Sequence, residues 1–217
     1  MAYAVKEIFY SLQGEGANTG RAAVFCRFSG CNLWSGRETD RAASDCDFCD
    51  TDFVGTDGDG GAKFLGPELL ADAVENMWPV PGAEGDAQRF VILTGGEPGL
   101  QVDRGLVDAL RARGFEIAIE TNGTVELPWG IHWVTVSPKG ANAYASLKVC
   151  DGDELKLVYP QSGLDPAQFA DLAFDHWYLQ PKDDPDAEQN TLMALDYCRQ
   201  HPKWRLSLQT HKLLSIR

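Results

Sequence analysis

Basic residues are scarce in this sequence. Its 217 residues include 19 lysines and arginines against 32 aspartates and glutamates, which gives a formal net charge of −13. Proteins that bind nucleic acid or an anionic membrane surface present a basic face to it. We therefore expect neither a nucleic acid nor a membrane among the partners.

Long hydrophobic runs are missing as well. No apolar run approaches the roughly 18 residues that a membrane-spanning helix requires. Residues 1–7 show no basic stretch followed by an apolar one, so no signal peptide is expected. The six cysteines are then expected to be reduced thiols in the cytoplasm, a setting that favours metal binding over disulfides.

Apolar strands alternate with helices along most of the chain. A phosphate loop is not expected, because the sequence has neither G-x-G-x-x-G nor a Walker lysine–serine pair. Apolar and aromatic runs predict strands at 22–28, 90–94, 115–120, 131–136, 154–159, 176–179 and 205–209. Helical spacing predicts helices at 66–78, 100–113, 165–172 and 190–201, and residues 79–88 are predicted to form a loop.

This alternation predicts the fold class. Strands that are joined by helices form parallel sheets with right-handed crossovers. Eight full repeats would require more helices than the sequence offers. We expect an α/β fold, an incomplete (β/α) TIM-like barrel with a parallel sheet, formed as one domain by residues 1–217.

Three cysteines stand close together in a predicted loop at 31–52. Cys31, Cys46 and Cys49 are spaced C-x14-C-x2-C, so the last two reach one metal centre from a tight turn and the first completes a face of thiolates. A structural zinc site is closed by four ligands, whereas three ligands leave one coordination position open for a reactant. The alternative is a zinc-stabilised binding module in which a histidine such as His132 is the fourth ligand.

Polar and glycine motifs follow several of the predicted strands, at 95–96, 137–139 and 180–181. Parallel α/β folds place their active sites at the carboxyl ends of the strands, so these motifs are candidate site residues. Arg27 interrupts an otherwise apolar strand. A buried guanidinium needs either an internal carboxylate or a bound anion, and the sequence leaves both open.

Two motifs resemble those of the radical S-adenosylmethionine superfamily: the turn at 95–98, Gly-Gly-Glu-Pro, and the turn at 46–51, Cys-Asp-Phe-Cys-Asp-Thr. More narrowly, the chain resembles the 7-carboxy-7-deazaguanine synthase family over nearly its whole length. The matching segments are 9–16, 26–32, 49–52, 94–98, 120–123, 137–139 and 209–212. The superfamily's usual cysteine spacing is C-x3-C-x2-C, so the loop here carries an insertion.

The resemblance implies a reaction. A [4Fe–4S] cluster held by three cysteines reduces S-adenosylmethionine, and the resulting 5′-deoxyadenosyl radical takes a hydrogen atom from C6 of 6-carboxy-5,6,7,8-tetrahydropterin. The ring then contracts and loses ammonia to give 7-carboxy-7-deazaguanine, a precursor of queuosine and other 7-deazapurines. Mg²⁺ assists the rearrangement. A radical activase that acts on a glycyl-radical enzyme is the nearer alternative.

The resemblance also implies roles for individual residues. The cluster ligands are Cys31, Cys46 and Cys49. The residues that contact S-adenosylmethionine are Phe48, Asp50, Gly95, Gly96, Glu97, Ser137, Lys139, Gln180, Pro181 and Asp183. The residues that contact the substrate are Leu12, Gln13, Gly14, Glu15, Arg27, Thr94 and Arg217, and Thr51 is the Mg²⁺ ligand. The sequence departs from the family at two positions. Asp184, which follows Asp183, replaces a glycine, and Arg217 replaces a terminal proline.

The family suggests a homodimer and an electron donor such as flavodoxin. A flavodoxin is acidic, as is this chain, so docking requires a local basic exception. Arg37 and Arg41 in the inserted part of the cysteine loop are the nearest candidates. The alternative is that this loop only covers the site.

Overall fold

One sheet of nine strands organises the part of the chain that the computed structural model describes, residues 2–79 and 88–217. The strands are β1 Tyr3–Leu12, β2 Ala22–Phe28, β3 Ala62–Phe64, β4 Arg89–Gly95, β5 Phe115–Thr121, β6 Trp133–Val136, β7 Asp151–Tyr159, β8 Ala173–Pro181 and β9 Arg205–Leu206. The helices are α1 Pro67–Met77, α2 Arg104–Ala112, α3 Ala143–Ser146, α4 Ala187–Gln200 and α5 Thr210–Leu214. The spatial order of the strands is β3-β1-β2-β4-β5-β6-β7-β8-β9.

The sheet is parallel from β2 to β9, and it is open. Strands β2, β4 and β5 pair in parallel register, with Val24 opposite Val91 and Val91 opposite Ile117. Both faces of these strands are largely buried, which explains why apolar residues dominate their sequences instead of alternating strictly with polar ones. The α/β, incomplete-barrel prediction is confirmed. The sequence did not predict that β1 and β3 extend one edge in the antiparallel direction.

Two of the predicted helices show their expected end signals. Pro67 is the first residue of α1, and Leu70, Ala71 and Val74 of that helix are buried against the sheet. The side chain of Asp103 accepts a hydrogen bond from the backbone N–H of Leu106 and so caps the start of α2. Gly114 follows α2 with φ = 76°, the left-handed conformation that terminates helices.

Other boundaries differ from the prediction. The helix predicted at 165–172 is only the 3₁₀ turn Pro166–Phe169, which precedes β8 at Ala173. Helix α2 begins after a separate 3₁₀ turn, Pro98–Leu100, and β9 ends at Leu206 instead of 209. The short helices α3 and α5 were not predicted. Most of the loop predicted at 79–88 lies outside the described residues.

The parallel arrangement brings the carboxyl ends of β2 and β4 to β8 to one edge of the sheet. The cysteine loop, the glycine turn and the segment Ser137–Lys139 all follow these ends. No helix among the described residues combines the length and the apolar character needed to cross a membrane.

Candidate active site

Two clefts open side by side at this edge. The first encloses about 1020 Å³ of empty space and is lined by the cysteine loop and the carboxyl ends of β4 to β8. The second encloses about 1010 Å³ and is lined by the end of β1, by β2 and by the C-terminal segment. Parallel α/β folds bind cofactors and small substrates in crevices at the carboxyl ends of their strands. The residues that line both clefts are Glu15, Asp50, Thr51, Thr94, Glu120 and Gln209.

The three cysteines of the loop all line the first cleft. Cys46 is buried, and Cys31 and Cys49 are half-buried. The Cys46 thiol donates a hydrogen bond to Cys49, which raises the pKa of Cys46 and lowers the pKa of Cys49. The backbone N–H of Leu33 lies 3.5 Å from Sγ of Cys31 and donates to it. The cleft therefore offers three sulfur ligands on one side.

The chemistry of this donor set fits an iron–sulfur cluster, because such clusters are held by cysteine thiolates. Within residues 2–79 and 88–217, no three His, Cys, Asp or Glu side chains converge closely enough to hold one metal ion. The alternative in which His132 is a fourth zinc ligand does not agree with this structure. Its Nδ1 accepts the backbone N–H of Ile117 at 3.0 Å, at the opposite edge of the sheet.

The glycine turn after β4 packs directly on the backbone that leads to the first cysteine. A Cβ atom on Gly95 would stand 2.2 Å from the carbonyl oxygen of Phe28, and one on Gly96 would stand 2.1 Å from that of Gly30. Gly95 also has φ = 140°, which favours glycine. The N–H of Glu97 donates to the Gly30 carbonyl at 2.9 Å. Glycine is therefore required here for the turn and the cysteine loop to form one wall.

Glu97 lies behind this wall and not among the residues that line the cleft. It is fully buried, and burial raises its pKa. Its carboxylate accepts hydrogen bonds from the Thr121 hydroxyl at 2.7 Å, the Asn122 N–H at 2.7 Å and the Gly99 N–H at 2.8 Å. Thr121 and Asn122 line the cleft, so in this structure Glu97 acts on it by fixing them.

The other predicted cofactor contacts lie together. The nine that line the first cleft are Phe48, Asp50, Gly95, Gly96, Ser137, Lys139, Gln180, Pro181 and Asp183. Lys139 donates a hydrogen bond to the Ser137 hydroxyl. Burial lowers the pKa of Lys139.

All seven residues predicted to contact the substrate line the second cleft: Leu12, Gln13, Gly14, Glu15, Arg27, Thr94 and Arg217. Arg27 has an internal partner, since its Nε donates to Oε1 of Glu7 at 2.8 Å. Arg217 pairs with the other oxygen of Glu7 at 2.6 Å, which holds the end of the chain beside the cleft. Thr51, the predicted Mg²⁺ ligand, lines both clefts.

Comparisons with known proteins agree on one family. The chain is 58% identical to 7-carboxy-7-deazaguanine synthase of Bordetella pertussis over 216 residues, and 58% identical to that of Bradyrhizobium diazoefficiens over 217 residues, covering 100% of each chain in both cases. This chain belongs to the 7-carboxy-7-deazaguanine synthase family. No family model matches the chain.

A solved structure supports the same assignment. The crystal structure of QueE from Escherichia coli matches with a TM-score of 0.67 and 28% identity, covering 96% of this chain and 94% of that one. The match spans both clefts, since it includes nearly the whole chain. The open, mostly parallel sheet is therefore the fold of a 7-carboxy-7-deazaguanine synthase.

In this family member, the sequence-based site prediction missed a buried lysine. Lys156 of β7 donates to Glu15 at 2.6 Å and to Glu120 at 2.8 Å, and its side chain is 5% exposed. Burial opposes its charge, but Glu120 and Glu15 outweigh that effect and raise its pKa. Burial would raise the pKa of Glu15, yet Lys156 holds it at about 2. The sequence did contain evidence for this site, because a lysine within an apolar strand, like Arg27, needs either an internal carboxylate or a bound anion.

A second missed residue joins distant segments. Lys212 of α5 donates to Asp50 of the cysteine loop at 2.6 Å and to Asp183 after β8 at 2.5 Å. It lies in the 209–212 segment that carried the family resemblance without an assigned role. Asp50 and Asp183 both line the first cleft, so Lys212 fixes two parts of its wall.

Proposed function

We propose that this chain is a radical S-adenosylmethionine carbon–nitrogen lyase that converts 6-carboxy-5,6,7,8-tetrahydropterin to 7-carboxy-7-deazaguanine with loss of ammonia. Full-length identity of 58% to synthases of that name supports the reaction. The observation that carries it is the pair of adjoining clefts, one edged by three cysteines and the other by the predicted substrate residues. Because six residues line both clefts, a nucleotide bound in the first would lie next to a substrate bound in the second.

The first cleft is proposed to hold the cluster and S-adenosylmethionine. Cys31, Cys46 and Cys49 would ligate three irons and leave the fourth open to the amino and carboxylate groups of the methionine moiety. When bound, this pair of cofactors supplies the one-electron chemistry that creates the 5′-deoxyadenosyl radical. The chain itself orients the nucleotide through Asp50, Ser137 and the turn at 180–181, and the close packing of the glycine turn excludes water behind it.

The second cleft is proposed to hold the pterin. Gln13, which donates to Glu120 at 3.1 Å, and Glu15 would face its amino–oxo edge, while Arg27 would face its carboxylate. Lys156 keeps Glu15 charged and holds both Glu15 and Glu120 in fixed orientations between the clefts. The protein contribution is thus positioning by a preorganised charged wall.

Magnesium belongs to this proposal through Thr51. Its hydroxyl lies 3.4 Å from an oxygen of Asp50 and on the boundary of the two clefts. A hydroxyl, substrate oxygens and waters suit a hard ion that keeps much of its hydration. The proposal further includes a cytoplasmic homodimer and flavodoxin as electron donor, both of which rest on the family resemblance.

The test begins with anaerobic reconstitution with iron and sulfide. We expect a reduced [4Fe–4S] signal in the EPR spectrum that changes when S-adenosylmethionine is added, followed by formation of 7-carboxy-7-deazaguanine from the carboxylated pterin. Cys46→Ala should lose the signal, whereas Cys150→Ala, at an exposed cysteine remote from the loop, should keep it. Stoichiometric zinc without a cluster signal, or a cluster that Cys46→Ala leaves unchanged, would refute the proposal.

A further inference from the structure

The inserted part of the cysteine loop folds around Arg41. Residues Glu38–Ala43 form a 3₁₀ turn, and the backbone N–H of Asp45 donates to the Leu33 carbonyl at 3.2 Å, which closes the base of the insertion. The Arg41 side chain is only 29% exposed although its neighbours Asp40, Ala42 and Ala43 are exposed. Arg41 therefore turns inward, towards partners within the loop.

Those partners belong to the cysteine turn. One terminal nitrogen of Arg41 donates to the backbone carbonyl of Asp47 at 2.9 Å and to that of Cys49 at 3.0 Å. The rest of the guanidinium pairs with Glu38, through Nε at 2.8 Å and the other terminal nitrogen at 2.7 Å. The two carbonyls lie on either side of Phe48, so a single guanidinium spans the turn between the second and third cysteines.

The face of the same guanidinium lies on an aromatic ring that belongs to the first cleft. The Arg41 guanidinium carbon is 4.0 Å from the centre of the Trp34 ring. Trp34 is buried, lines the first cleft and meets Phe53 edge-to-face with ring centres 5.6 Å apart. Stacking on an aromatic face while donating in the guanidinium plane is a combination that arginine provides and lysine does not.

We propose that Arg41, which the insertion carries, is a positioning residue that clamps the Cys46–Cys49 turn against Trp34. Arg41 is therefore committed to contacts within the loop instead of being free for an acidic partner. Arg37 differs, because its side chain is exposed and its hydrogen bonds within the loop come from its backbone: the carbonyl accepts the Trp34 indole N–H at 3.2 Å, and the N–H donates to the Ser35 hydroxyl at 3.2 Å. Only Arg37 remains suited to the docking role predicted for both.

The first test uses the metal-free protein and does not depend on the proposed function. Hydrogen–deuterium exchange is measured on wild type, Arg41→Gln, Arg41→Lys and the matched control Arg37→Gln. Without the Arg41 contacts the turn should open more often, so exchange at residues 44–51, where the N–H groups of Ser44 and Asp45 are hydrogen-bonded, should be about tenfold faster in Arg41→Gln. Exchange in β7 should be unchanged, Arg41→Lys should be intermediate, and Arg37→Gln should match wild type.

The second test rests on the proposed cluster. Reconstituted proteins are exposed to an iron chelator, and loss of the visible absorbance is followed in time. Release from Arg41→Gln should be about tenfold faster than from Arg37→Gln, since the ligand turn is no longer held. If no variant assembles a cluster but exchange follows the expected order, the proposed function fails and the clamp stands.

Equal exchange at residues 44–51 in Arg41→Gln and Arg37→Gln would overturn the clamp. If Arg41→Gln does not fold, as judged by circular dichroism, Arg41→Lys decides alone. Wild-type exchange and wild-type chelator release in Arg41→Lys would then overturn the clamp as well, because lysine cannot reproduce both the stack and the paired donation.

Discussion

Glu15, Glu120 and Lys156 form the charged wall between the clefts, and replacement of Lys156 by methionine tests its contribution to stability. Methionine has a similar length and fills the same space, but it leaves Glu15 and Glu120 without their shared cation. The side chains of these two glutamates are only 19% and 20% exposed, so water compensates little. Removing one member of a buried ion pair typically costs about 3–5 kcal/mol.

The pKa of Glu15 gives an independent magnitude. Its folded value of about 2 lies below the usual 4.5, and each unit corresponds to about 1.4 kcal/mol, so the carboxylate contributes on the order of 3 kcal/mol at neutral pH. This stability is present above pH 4.5 and is lost as the pH falls through 2. Lys156→Met should therefore be destabilised by about 3 kcal/mol at pH 7, and the difference from wild type should shrink as the pH is lowered below 4.5.

The assay is urea unfolding of wild type and Lys156→Met between pH 7 and pH 3.5, followed by circular dichroism. The single variant Glu15→Gln and the double variant complete a double-mutant cycle. Loss of the lysine should lower the free energy of unfolding by less once Glu15 is uncharged. A difference below about 0.5 kcal/mol at pH 7 would contradict the reasoning, since that is the range of ordinary surface changes. A larger difference that does not vary with pH would assign the loss to packing instead of charge.

Three further predictions follow from neighbouring contacts. Gly96→Ala should destabilise the protein and lose cluster assembly, because its Cβ would lie 2.1 Å from a backbone carbonyl, whereas Gly66→Ala, with open space around it, should behave like wild type in both urea unfolding and cluster absorbance. Lys212→Ala should weaken S-adenosylmethionine binding several-fold in calorimetry, since charge-assisted hydrogen bonds contribute about 1.5–3 kcal/mol when shielded and less when exposed, and Lys63→Ala on the exposed face of β3 is the control. Burial raises the pKa of Glu154 to about 7, so wild type should lose stability as the pH rises from 4.5 to 7, and Glu154→Gln should remove that loss in urea unfolding at pH 8 while matching wild type at pH 4.5. Equal pH profiles for the two proteins would contradict the assignment of that group.

Local signals predicted the elements whose ends are marked in the sequence. Pro67 and Gly114 mark the start of α1 and the end of α2, and the apolar run of β4 marks a buried parallel strand. Local sequence signals did not predict strand direction, because tertiary contacts decide it. Nothing in the sequence 3–12 states that β1 runs antiparallel to β2, because that direction is set by the loop between them and by pairing at the edge.

The predicted site residues came from motifs, and the missed ones came from pairings across the chain. Lys156 meets Glu15, 141 positions away, and Lys212 meets Asp50, 162 positions away. Lys212 looks like a solvated charge when read locally, whereas Lys156 stands out as a charge within an apolar strand, but only the fold shows which carboxylates each of them meets. The same limit explains Arg41, which reads as a surface cation until the loop closes on Trp34. A charge within an apolar strand or beside a ligand turn is thus better evidence of an internal partner than of an external one.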